Sequence, residues 1–75
     1  MSWENIGKNI RLRRIAKRMT QEQLAKKAAV SATMISYIET GLKPLPLQTG
    51  YQIAKTLGCT VDDLIEKDYQ IAGEK

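Results

Sequence analysis

Several hydroxyl-bearing residues between positions 31 and 40 are spaced so that they would share one side of a helix, where they could bind another molecule. At 100° per residue, the apolar and the polar side chains of this stretch fall on opposite sides of a helix. The outward side carries Thr33, Ser36, Tyr37 and Thr40, with Ala32 on its flank. These groups are neutral and can donate or accept hydrogen bonds or offer a methyl group. Solvent faces of helices usually carry charges, so this face suits recognition of another surface, although a plain solvated face stays open.

The residue types needed for covalent or acid-base chemistry are nearly missing. The 75 residues contain no histidine and one cysteine, Cys59. Histidine is the usual proton-transfer group near neutral pH and a common metal ligand. One cysteine makes neither an internal disulfide nor a thiolate metal site. We therefore expect a protein that is not an enzyme and that uses no metal and no cofactor.

Charge is divided unevenly along the chain, which has a net charge of +4. Residues 1–43 hold nine basic and three acidic side chains, and residues 44–75 hold three basic and five acidic ones. This division suggests a half that binds a polyanion, and an ordinary solvated face is the alternative. No apolar run approaches the roughly 20 residues of a membrane span, and the first residues do not resemble a signal peptide. We expect a cytoplasmic protein without membrane contact.

Periodicity predicts an all-α chain of five short helices. They cover approximately residues 2–18, 20–28, 31–40 and 47–57, with a fifth that begins after Thr60. We expect residues 1–67 to form one domain and residues 68–75 to form a C-terminal tail. Two apolar stripes are expected to face inward: Trp3, Ile6 and Ile10 on the first helix, and Tyr51, Ala54 and Leu57 on the fourth. Trp3 and Tyr51 are expected in the core or at its rim.

Two of these helices carry clear start signals. Thr20 and Gln23 form a capping box, and Ser31 suits the N-cap of the next helix. Only Ala29 and Val30 separate the two helices, which is the connection of a helix-turn-helix. In that motif the first helix crosses the DNA backbone and the second lies in the major groove.

The stretch from Ile10 to Leu64 resembles the phage-repressor and Cro type of helix-turn-helix domain, also called the xenobiotic-response-element family. The matching residues are Ile10, Arg11, Arg14, Thr20 to Ala25, Val30, Ser31, Ile35, Ser36, Ile38, Glu39, Gly41, Leu47, Ala54, Lys55, Leu57, Gly58 and Leu64. The sequence departs from the family pattern at the turn, where Ala29 replaces the usual glycine. Alanine is poorly suited to a positive φ, so the backbone of this turn is expected to differ slightly from the family's. The extra Pro44 and the displaced Pro46 suggest that the loop at residues 43–46 takes another path.

The resemblance implies a five-helix, lambda-repressor-like domain that binds double-stranded DNA. It implies a sequence-specific transcription regulator, most often a repressor, that acts as a homodimer on a two-fold symmetric operator and is open to control by a protein anti-regulator. Two alternatives stay open. The first is an antitoxin or a restriction–modification controller, and the second is a protein-interaction module that does not bind DNA. The operator, the target genes and activation as opposed to repression do not follow from the sequence.

The resemblance and the helical spacing together assign roles to individual residues. The predicted base-reading residues are Ala32, Thr33, Ser36 and Tyr37. The predicted contacts to the DNA backbone are Thr20, Gln21, Ser31, Thr40 and Lys43. The family pattern also implies a buried structural ion pair between Arg14 and Glu39. A dimer contact through Ile65, Tyr69 and Ile71 is one hypothesis for the C-terminal end, and a tail folded over its own domain is the other.

Overall fold

The computed structural model describes residues 2–66, and within them the chain is all-α, as predicted. The helices are α1 (Trp3–Ala16), α2 (Gln21–Ala28), α3 (Ala32–Thr40), α4 (Leu47–Leu57) and α5 (Val61–Glu66). The predicted tail, with Tyr69 and Ile71, lies outside the described residues. None of the helices in the described part of the chain is long and apolar enough to cross a membrane.

Side-chain caps mark the starts of α1, α2, α3 and α5, whereas α4 follows Pro46 without a side-chain cap. The Ser2 hydroxyl accepts a hydrogen bond from the Asn5 amide, 3.1 Å away, at the start of α1. Thr20 and Gln23 form the predicted reciprocal capping box at α2, with distances of 3.0 and 2.9 Å. Thr60 and Asp63 make the same reciprocal pair at α5, with both distances at 3.0 Å. Each cap satisfies amide groups that the first helical turn leaves without a partner.

The core lies where α3 packs against α1 and α2, while α4 and α5 close the opposite side. Its apolar members are small or aliphatic: Ile6, Ile10, Leu24, Ala25, Ala28, Ile35, Ile38, Ile53, Ala54, Leu57 and Leu64. Asn9 is also buried, and its amide donates to the carbonyl oxygen of Leu64, 3.0 Å away, which fastens α1 to α5. With both Ile35 and Ile38 in the core, the opposite side of α3 faces outward.

The predictions for Trp3 and Tyr51 were wrong, because 46% of Trp3 and 56% of Tyr51 are exposed. The buried positions of α4 are Gly50, Ile53, Ala54 and Leu57. Ala54 and Leu57 of the predicted stripe are thus buried, and Gly50 and Ile53 take the inward positions instead of Tyr51. Leu45 of the preceding loop packs over Gly50. A Cβ added to Gly50 would lie 3.0 Å from a methyl group of Leu45.

The turn between α2 and α3 keeps the helix-turn-helix path despite its alanine. Ala29 adopts the left-handed conformation, with φ 60° and ψ 40°, and ends α2. Its amide and that of Val30 donate to carbonyl oxygens of the last turn of α2, including Ala25. A left-handed residue with a Cβ costs about 1–2 kcal/mol that glycine would avoid. The rest of the fold offsets this strain.

Candidate nucleic-acid interface

The beginnings of α2 and α3 border a common groove of about 550 Å³. It brings together predicted residues from both helices, and its lining consists of Arg14, Thr20, Gln21, Glu22, Ala32, Thr33 and Ser36. Five of the predicted backbone-contact and base-reading residues therefore share one surface: Thr20, Gln21, Ala32, Thr33 and Ser36. A groove bordered by two helix N-termini favours binding of anionic groups.

The outward face of α3 presents its predicted residues unequally. Thr33 and Tyr37 are exposed, whereas Ala32 and Ser36 are half-buried. Ala32 also packs against the edge of the hydrophobic core. The side chains of Thr33 and Tyr37 are therefore the ones most available to a partner, and Ala32 and Ser36 line the groove beside Thr33.

The cap residues Thr20 and Ser31 keep a free hydrogen-bond donor. Thr20 accepts from the amide of Gln23, and Ser31 accepts from the amide of Met34, each at 3.0 Å. A capping hydroxyl uses a lone pair and leaves its own O–H hydrogen available. Both residues are exposed, so each can cap a helix and donate to an anion at the same time.

Thr40 is arranged differently. Its hydroxyl lies 3.0 Å from the carbonyl oxygen of Ser36 and 3.1 Å from that of Tyr37, and it donates back into its own helix. With its one hydrogen used in this way, Thr40 must break an intrahelical bond before it can donate to a phosphate. Among the predicted backbone contacts, it is the one least prepared for that role.

Arg14 and Glu39 form the ion pair that the resemblance implied. Arg14 Nε lies 2.6 Å from Glu39 Oε2, and Arg14 Nη2 lies 3.1 Å from Oε1. A further guanidinium nitrogen, Nη1, donates to the carbonyl oxygen of Met19 at 2.7 Å. The side chain of Glu39 is 1% exposed and that of Arg14 is 11% exposed. The two-pronged geometry ties α1 to the end of α3 and to the chain just before α2.

Gln21 also bonds to the Arg14–Glu39 ion pair, a contact that sequence reasoning missed. Its amide nitrogen donates to Glu39 Oε1, 3.0 Å away. One of its two amide hydrogens is thus held inside the protein, and the side chain has a fixed direction beside the groove. Nothing in the residue types alone indicates this bond, because it joins positions 18 residues apart that meet only in the folded chain.

Gly7 is the second feature that sequence reasoning missed. A Cβ at this position would lie 2.3 Å from the carbonyl oxygen of Ile38 and 2.5 Å from that of Glu39. Real Cβ atoms do not come so close to backbone oxygen, so α1 approaches α3 at a distance that only glycine permits. Gly7 therefore sets the position of the helix that carries Thr33 and Tyr37.

Lys17, which follows the last residue of α1, faces the turn between α4 and α5. The ammonium of Lys17 lies within 3.6 Å of the place where a Cβ of Gly58 would stand. Burial raises the pKa of the Cys59 thiol, and the charges of Arg13 and Lys17 oppose this rise only in part. The thiol therefore stays protonated near neutral pH and has little thiolate character.

Comparison with known proteins identifies the class. A family model described as helix-turn-helix matches residues 10–64, and the chain belongs to this family. The fold is that of DNA-binding transcription regulators of the phage-repressor type, as predicted. A search of curated protein sequences found no match.

Solved structures with this fold include several regulators. The P22 c2 repressor in complex with a synthetic operator is 30% identical, with a TM-score of 0.80 over 84% of this chain and 96% of that chain. SinR, described as the master regulator for biofilm formation and solved in complex with DNA, is 31% identical, with a TM-score of 0.76 over 81% and 98%. The restriction–modification controller C.AhdI from Aeromonas hydrophila shares the fold at 24% identity, with a TM-score of 0.81 over 84% and 96%.

Proposed function

We propose that this protein is a sequence-specific DNA-binding regulator that represses transcription by occupying an operator. The observation that carries the proposal is the surface formed by the starts of α2 and α3. There, exposed neutral side chains lie beside two helix N-termini whose capping hydroxyls can still donate. The helix-turn-helix family and the operator complex of the similar P22 repressor support the same reading.

Base reading falls to the outward face of α3. Thr33 can donate, accept or place its methyl group against a thymine methyl, and Tyr37 can reach a base edge with its hydroxyl. Ala32 and Ser36 contribute a smaller apolar and polar surface between them. None of these four residues is an arginine, which would indicate guanine through a pair of hydrogen bonds. The residue types therefore do not specify an operator sequence, and selection from a DNA library has to identify it.

The DNA backbone is held by groups around this face. Thr20 and Ser31 donate through their free hydroxyl hydrogens, and Gln21 has one amide hydrogen left for a phosphate. Lys43 supplies a positive charge from the loop after α3. Thr40 contributes only if its hydroxyl leaves the helix carbonyls. Such contacts fix the position of the protein on the duplex and carry no sequence information.

A homodimer on a two-fold symmetric operator completes the proposal. The recognition helix α3 has nine residues and reads a few base pairs, so a second copy on the next half-site adds length and specificity. Ile65 packs at the edge of the core and is half-buried, which leaves part of it for a partner copy. The other two members of that contact lie outside the described residues.

Selection of duplexes from a random DNA library, followed by binding in a salt series, tests this function. We expect an enriched site with two-fold symmetry, two protein chains on each duplex by sedimentation, and a log–log salt slope of about −0.9 per phosphate neutralised. Absence of salt-dependent affinity for every duplex would contradict the proposal and would favour a protein-interaction module.

A further inference from the structure

The ammonium of Lys43 lies over the face of the Tyr37 ring, 5.2 Å from the ring centroid. The negative face of an aromatic ring attracts a cation at this distance. Both side chains are exposed. The interaction therefore occurs on the outer surface of the molecule, next to the residues proposed to read bases. The ammonium lies over the face of the ring and leaves the ring edge and the hydroxyl uncovered.

The backbone holds the two partners in this arrangement. Gly41 ends α3 in the left-handed conformation, with φ 78°. The amides of Leu42 and Lys43 then both donate to the carbonyl oxygen of Tyr37, at 3.0 and 3.4 Å. The chain is thus folded back over Tyr37 within six residues, and the lysine starts from a fixed point beside the ring.

We propose that Tyr37 is a positioning residue that holds the Lys43 ammonium ready for a DNA phosphate. This inference rests on the proposed function and goes beyond base reading by Tyr37. A lysine has a long, flexible stem, and ordering it on binding costs free energy. The ring orders the lysine before DNA arrives, so that cost is smaller. Tyr37 accordingly strengthens the part of the affinity that does not depend on sequence.

The test uses a 20-base-pair duplex of random sequence and a salt series with the full chain. The variants are Lys43→Ala, Tyr37→Leu, Tyr37→Phe and the double variant of Lys43→Ala with Tyr37→Leu. Lys55→Ala, which removes an exposed charge on α4, is the matched control. Lys43→Ala should make the salt slope shallower by about 0.9, the value for one phosphate contact.

Tyr37→Leu should weaken binding about twofold to tenfold when Lys43 is present, which corresponds to the cost of ordering one long side chain. It should have almost no effect when Lys43 is already alanine. Tyr37→Phe keeps the ring face, so it should retain more of the affinity for random DNA than Tyr37→Leu does. Lys55→Ala should leave the slope closer to the wild-type value than Lys43→Ala does.

Two results would overturn the inference while leaving the proposed function intact. In the first, the fold-losses in affinity of Lys43→Ala and Tyr37→Leu multiply in the double variant. This would show that the two side chains contribute to DNA binding independently. In the second, Tyr37→Phe is as weak as Tyr37→Leu, which would assign the effect to the hydroxyl.

A measurement without DNA separates the inference from the proposed function. In the free protein, the ε-methylene protons of Lys43 should show a ring-current shift by NMR that Tyr37→Phe keeps and Tyr37→Leu abolishes. Unshifted protons in the wild type would overturn the inference even if DNA binds. Shifted protons in a protein without salt-dependent DNA affinity would overturn the phosphate role together with the proposed function.

Discussion

Replacement of Gly7 by alanine is expected to lower the free energy of unfolding by about 2–4 kcal/mol, somewhat beyond the usual range for overpacking a core. The added Cβ would meet the carbonyl oxygens of Ile38 and Glu39 at 2.3 and 2.5 Å. These atoms belong to the α3 backbone and cannot turn aside as a side chain can, so α1 and α3 must separate. Alanine is favoured over glycine inside a helix by about 1 kcal/mol, which offsets only part of this cost.

Gly50→Ala is the matched control for Gly7→Ala, because it makes the same change inside α4. Its Cβ would meet the end of the Leu45 side chain at 3.0 Å, and this group can shift. We expect Gly50→Ala to change stability by no more than about 1 kcal/mol, in line with helix propensity. Urea unfolding of both variants provides the comparison. Equal midpoints for the two proteins would show that Gly7 does not set the spacing of α1 and α3.

Arg14→Ala is the second change with a large expected effect, a loss of about 3–5 kcal/mol of stability. It would leave the Glu39 carboxylate, whose side chain is 1% exposed, buried beside the neutral Gln21 amide and without the guanidinium charge. A buried charge without its counter-ion is strongly unfavourable. For a chain of this size the loss is a large fraction of the total stability.

Arg11→Ala is the control for Arg14→Ala, because Arg11 is exposed on the same helix and should contribute less than about 1 kcal/mol. Arg18 is a poorer control, since it has a positive φ of 58°. A double variant, Arg14→Met with Glu39→Met, should recover much of the loss, because it removes both charges. If Arg14→Ala and Arg11→Ala melt at the same temperature, the ion pair does not stabilise the fold.

The sequence was most informative where local chemistry decides the structure. Capping residues such as Thr20 and Ser31 bond to amides three residues away, so the helix starts could be located within a residue. The apolar spacing of Ile35 and Ile38 likewise determined which side of α3 faces outward. These features depend on neighbours in the chain, and the sequence contains those neighbours.

What could not be predicted depends on contacts between distant segments. Gly7 reads as an ordinary weak helix residue until α3 is placed against it. Tyr51 fits an inward or an outward position equally well, because its ring is apolar and its hydroxyl is polar. The packing of Leu45 over Gly50 likewise joins a loop to a helix face and is not indicated by either residue alone. The Gln21–Glu39 bond and the Lys43–Tyr37 contact also require the three-dimensional positions of the helix ends.

Base reading by the outward face of α3 is tested most directly at Thr33. Thr33 is exposed and opposite the buried side of α3, so Thr33→Ala should leave folding unchanged. Thr56→Ala on α4, which removes the same atoms, serves as the control. The measurement is competition binding of the wild type and both variants to the selected operator and to a scrambled duplex of equal length.

We expect Thr33→Ala to lose about 1–3 kcal/mol of binding free energy on the operator, the range for a lost base contact. Its affinity for the scrambled duplex should stay close to that of the wild type, because phosphates supply that part of the binding. Thr56→Ala should match the wild type on both duplexes. An equal loss on the operator and the scrambled duplex, or no loss on either, would contradict the claim that this face of α3 reads the operator.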